Sequence, residues 1–84
     1  MPSAEAGQVR HVVEEACKRL KVKLVDIKYE GYLAGNPWYI VYIKQWRKRE
    51  KEIRNGIIFD VRFLGIAISV EKFKPKTETR IYGG

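Results

Sequence analysis

Trp38 to Ile43 reads WYIVYI, a run that is apolar or aromatic on both parities of an extended chain. Successive side chains of a strand point to opposite faces, so this run has no side suited to water. Such a strand is normally central in its sheet. The chain continues through Lys44, Gln45 and Trp46 into RKREKEIRNG, residues 47–56, where only Ile53 asks for burial. One half of the stretch needs a flat apolar partner and the other half needs water.

Upstream, Val9, Val12, Val13, Ala16, Cys17 and Leu20 follow the i, i+3, i+4, i+7, i+8, i+11 series of one helical face, which predicts a helix from Ser3 to Leu20. Ser3 is the candidate N-cap, and Glu14 with Lys18 and Glu15 with Arg19 are candidate ion pairs. The period then changes. Val25, Ile27 and Tyr29 alternate with Asp26, Lys28 and Glu30, as in a strand with one wet face. LAGNP, residues 33–37, supplies a chain reversal into the second strand, Trp38 to Trp46.

Two conformations fit Arg47 to Arg54: a short helix closed by Asn55 and Gly56, or an irregular arm with Asn55-Gly56 as a type I′ turn. The lack of apolar alternation favours the arm. Ile57, Phe59, Val61 and Phe63 hold one parity, and Ile66, Ile68 and Val70 hold the other. A hairpin about Leu64-Gly65 would bring both sets to one face. The end, residues 74–84, reads as an edge strand through Thr77, Thr79 and Ile81 or as a mobile tail. The expected fold is therefore α+β and a single domain over 1–84: one N-terminal helix on a four-stranded antiparallel sheet, α-β-β-β-β, with a basic arm between strands 2 and 3.

From Val12 to Lys44, the segments VVEEACKRLKVKLVDIKYE and PWYIVYIK resemble the N-terminal domain of the bacterial ribosome maturation factor that binds the small ribosomal subunit. In that family a helix is followed by a strand of the ELVDIEY kind and a paired strand of the LRIYID kind. The resemblance implies the helix and strand order. Past Lys44 the chain departs from it: the acidic residue that ends the family's second strand is Lys44 or Gln45 here, and only Arg47–Arg54 stands where the family has its second helix. VRFLGIAISVEKF separately resembles hairpins of small bacteriophage proteins.

The formal net charge is +7, and residues 34–56 carry six basic and two acidic side chains, so +4 of the excess lies there. Lys44, Arg47, Lys48, Arg49, Lys51 and Arg54 form a candidate phosphate-binding set, because each neutralised phosphate releases condensed counterions. Beside them, Trp38, Tyr39, Tyr42 and Trp46 offer rings on which unpaired bases stack. The bland alternative is a solvated loop next to ordinary core aromatics. Lys72, Lys74, Lys76 and Arg80 extend the basic surface or protect an edge strand.

Catalytic machinery lacks parts. His11 is the only histidine and Cys17 the only cysteine, the latter on the buried helix face, so hydrolytic triads, zinc sites and disulfides are not expected. Asp26, Glu30 and Asp60 are the one carboxylate set that a sheet could gather for a magnesium nuclease, without the Glu-x-Lys triplet that would support it. No cofactor or metal is expected, no apolar run is long enough to span a bilayer, and MPSAEAGQVR does not read as a signal peptide, so a cytoplasmic protein is expected. Two functions compete. The first is a non-enzymatic nucleic-acid-binding module for RNA or single strands. The second is a small interaction or inhibitor protein, of phage or mobile-element type, that docks on a host protein or on itself through a sheet face or edge.

Overall fold

The computed structural model describes residues 5–44 and 47–74, without the side chain of Arg47. The described chain runs α1 (Ala6–Leu20), β1 (Leu24–Leu33), β2 (Asn36–Ile43), a short 3-10 turn (Arg47–Arg49), α2 (Glu50–Asp60), a second 3-10 turn (Arg62–Leu64) and β3 (Ala67–Lys72). No helix among these residues is long and apolar enough to cross a membrane.

Helix α1 buries Val9, Val13, Ala16, Cys17 and Leu20, the face its periodicity predicts. It ends at Lys21, whose backbone is left-handed (φ 59°) and whose N–H donates to the carbonyls of Cys17 and Lys18. Those bonds satisfy carbonyls that the last turn would otherwise leave orphaned. The ion pairs differ from those expected: Arg10 pairs with Glu14 and Lys18 with Glu15, while Arg19 leaves the helix to bond Asp60 of α2 at 2.8 Å. The predicted N-cap Ser3 lies outside the described residues. Strands β1 and β2 form an antiparallel hairpin across Ala34-Gly35, both at positive φ (53° and 85°), as a two-residue hairpin turn demands.

The second half overturns the predicted sheet. The described residues form three strands, not four, in a mixed sheet ordered β1-β2-β3, with β3 parallel to β2. The arm and the first strand of the expected hairpin are instead one helix, α2, which carries the chain back so that β3 starts beside the beginning of β2. The reason is visible in spacing. Ile53, Ile57 and Val61 stand four apart and are fully buried, with Leu64 partly buried on the same stripe. Burying those aliphatic side chains is worth about 1.5 to 3 kcal/mol each. A hairpin would have left Ile53 out and needed Phe59 and Phe63 inside; in the structure these two are 58% and 80% exposed. The hairpin likeness to phage proteins falls with it, since Leu64-Gly65 ends a 3-10 turn and leads into β3. The alternative edge strand at 77–81 lies outside the described residues.

Asn55-Gly56 is not a turn either. Gly56 sits inside α2 where α1 crosses it, and a Cβ there would come within 2.9 Å of Leu20 Cδ1. The glycine is a contact point, not a breaker. Both helices lie on the same side of the sheet, over Tyr39, Val41 and Ile43 of β2 and Val70 of β3. Gly56→Ala should be close to neutral, because the gain of about 1 kcal/mol in helix propensity offsets a small shift of the Leu20 methyls. Gly56→Leu should lower unfolding free energy by about 1 to 3 kcal/mol in urea melts, by overpacking this crossing.

Candidate nucleic-acid interface

With both helices on one side, the parity of β2 decides what each aromatic residue can do. Tyr39 lies under the helices, only 7% exposed, and its ring meets that of Tyr29 at 5.4 Å between centroids. It belongs to the core and cannot stack on a base. Trp38, Ile40 and Tyr42 occupy the other parity, partly exposed, on the face that no described helix covers. Register places Asp26 and Lys28 of β1 beside Tyr42 and Ile40, and Ala67, Ser69 and Glu71 of β3 beside Trp38, Ile40 and Tyr42. The Trp38 indole N–H donates to Ser69 Oγ at 3.0 Å, which holds its ring along the face.

At the far end of this face Asp26, Lys28, Ile40, Tyr42, Glu71, Lys72, Phe73 and Lys74 surround a concavity of about 580 Å³. Phe73 extends β3, its N–H donating to the Ile43 carbonyl. The Lys28 ammonium sits 5.9 Å from the centre of the Tyr42 ring, at the edge of cation–π range.

The basic set predicted from residues 44–54 is divided. Lys44, Lys48 and Lys51 are exposed. Arg49 is tied down: its guanidinium donates to the Leu20 carbonyl at the end of α1 and pairs with Glu52. Arg54 donates to the Val70 carbonyl of β3 and pairs with Glu50 one turn earlier. These two arginines fasten α2 to α1 and to β3. Arg47 begins the 3-10 turn, and Trp46 lies outside the described residues, so the candidate pairing of Trp46 with the basic segment does too.

Sequence reasoning missed Lys28 and Phe73 as members of the face, and it read Lys72 and Lys74 as extending the basic surface or protecting an edge strand. A signal for Lys28 was present, since it alternates outward with Asp26 on β1. Phe73 was assigned to the lost hairpin. The carboxylates do not gather: Asp60 is on α2 bonded to Arg19, on the opposite side of the sheet from Asp26. Among the described residues no three metal-ligating side chains cluster. Burial, with a smaller push from Glu14, raises the Cys17 thiol from 9.0 to about 11, which keeps it protonated and poorly nucleophilic at neutral pH.

No protein family, curated protein or solved structure was found to match this chain.

Because Arg49 is fastened to a backbone carbonyl, Arg49→Ala should destabilise the fold by about 1 to 2 kcal/mol in urea melts. Lys48→Ala and Lys51→Ala should stay within about 0.5 kcal/mol of the parent. Equal effects for all three would remove the distinction between fastening and surface charge. The Cys17 thiol adds a pH dependence. Its folded-state pKa is raised, so its contribution is complete below about 9 and should be lost as pH climbs towards about 11, a trend absent in Cys17→Ala.

Proposed function

We propose that this chain is a non-enzymatic nucleic-acid-binding module for RNA or single strands, acting inside the cell, that receives unpaired bases on the open sheet face. One observation carries the reading: Trp38, Ile40 and Tyr42 run in a row along the central strand on the side away from both helices. Trp38 and Tyr42 are partly exposed there, and a row of flat rings suits successive bases. Lys28 and Lys74 line the concavity on that face and Lys44 follows the end of β2, while Lys72 lies at its border, in register with the helix-side Ile43. These lysines supply the phosphate contacts that the predicted arm was to supply. Helix α1 followed by the paired strands β1 and β2 is the order that the resemblance to the ribosome maturation factor implies over residues 12–44, and it supports the reading.

A second reading, a small interaction protein, draws on a different feature. Phe59 and Phe63 are exposed at the end of α2, with the Arg62 guanidinium 3.5 Å and 4.2 Å from their ring centres. Self-association through this patch would appear in light scattering as a dimer that Phe63→Glu dissociates, with the sheet face uninvolved.

The nucleic-acid reading is tested by fluorescence anisotropy of a labelled single-stranded RNA across salt concentrations. Binding should weaken steeply with salt, and each of Lys28→Ala and Lys74→Ala should flatten the slope by about 0.7. Tyr42→Ala should cost about 1 to 3 kcal/mol with the salt slope unchanged. Absence of binding at low salt, or Tyr42→Ala binding like the parent, sinks the reading.

A further inference from the structure

The row through Tyr42 holds more than a stacking ring. Asp26 on β1 and Glu71 on β3 are its direct neighbours on either side, all three on the open face. Neighbouring strands lie about 4.8 Å apart, so the two carboxylates bracket the ring across roughly 10 Å. Both line the same concavity as Phe73, Lys28, Lys72 and Lys74. Asp26 has one oxygen engaged by the N–H of Ile27 at 2.8 Å, leaving the other oxygen free to face outward. Glu71 has no hydrogen bond or ion pair among the described residues.

This arrangement is odd for a surface that only attracts phosphate, because two carboxylates in the middle of it repel the backbone. It makes sense if phosphates stay with the lysines and the carboxylates face base edges. An ionised carboxylate can only accept hydrogen bonds. A base lying on Tyr42 must therefore turn donors towards Asp26 or Glu71. Guanine presents two adjacent donors, N1–H and the N2 amino group, which match the two oxygens of one carboxylate, and its neighbouring O6 suits a lysine donor. Cytosine and adenine present one amino group. Uracil presents a single N–H between two carbonyls whose lone pairs face the carboxylate.

From this geometry we infer that the concavity around Tyr42 is a base-selective subsite that prefers guanine and disfavours uracil, read by Glu71 and Asp26 on the Watson–Crick edge. The inference rests on the nucleic-acid reading above and specifies its ligand. Lys28 and Lys74 on this rim, within a chain of formal net charge +7, favour a nucleotide over a cationic peptide side chain, the other occupant that an aromatic ring between acids would suit.

The test uses the full chain, a labelled oligouridylate and three versions with a single central G, C or A, in anisotropy titrations at fixed salt. The G version should bind at least about fivefold more tightly than the all-U strand, with C and A between, as one good bidentate contact discriminates. Glu71→Gln, which keeps the shape and gains a donor, should remove most of the G preference while leaving or improving affinity for U. Asp26→Asn keeps the oxygen that accepts from Ile27 and should have a smaller effect in the same direction. Circular dichroism checks that both variants fold. Equal binding of all four strands, or a G preference that survives both substitutions, overturns the inference and leaves the nucleic-acid reading standing. Binding to none of the four, with binding instead to an arginine-rich peptide, overturns both.

Discussion

The fold depends on the crossing of two helices over one row of side chains. Tyr39, Val41 and Ile43 give β2 its inner face, and they share one buried cluster with residues of both helices. α1 and α2 lie side by side there with Gly56 against the Leu20 methyls, where any side chain larger than a methyl would push the helices apart. The crossing also decides the rest of the topology. Once α2 is packed beside α1, the chain must return to the sheet beside the start of β2, and β3 pairs in parallel. Arg49, Arg54 and Arg19 then fix the assembly with bonds from α2 to α1, from α2 to β3 and from α1 to α2.

How much of this was legible in the sequence follows from which residues satisfy one period and which satisfy two. Val9 to Leu20 fits only a helix, and α1 appears where its pattern puts it. The alternation of Val25 to Glu30 and the LAGNP turn fit only a hairpin, and β1 and β2 are there. Ile57 and Val61 satisfy both period two and period four, so Ile57–Phe63 reads equally as a strand or as part of a helix. What separates the two is Ile53, which is useful only to the helix, and Gly56, whose role needs the position of Leu20 to be known. A glycine beside an asparagine ordinarily marks a turn, and tertiary contact overrode that local preference. Parallel pairing is a nonlocal outcome that no short window contains.

The candidate site was legible to the same degree. That β2 offers two aromatic parities is plain from WYIVYI; which one stays open is decided by the side the helices choose. Tyr39 and Tyr42 are alike in sequence and opposite in fate. The basic segment looked uniform because charge counting treats arginine and lysine alike. In space they divide sharply. Arg10, Arg19, Arg49, Arg54 and Arg62, the arginines with described side chains, all bond a carboxylate or a backbone carbonyl of this chain.

That division bears on how a polyanion would be held. The planar guanidinium is suited to fixed, bidentate contacts, and here it is used to fix the protein to itself. The field that remains outward comes largely from lysines, which are compact, strongly hydrated charges on flexible stems. Lysines give affinity that depends steeply on salt and little on geometry. Lys28, Lys44, Lys72 and Lys74 can therefore hold a strand near the sheet without specifying its sequence. Any discrimination must come from the parts of the face that are rigid: Trp38 tethered to Ser69, Tyr42 on the central strand, and the carboxylates in register on either side of it. Affinity and selectivity are thus assigned to different residue types on the same surface, and substitutions can separate them.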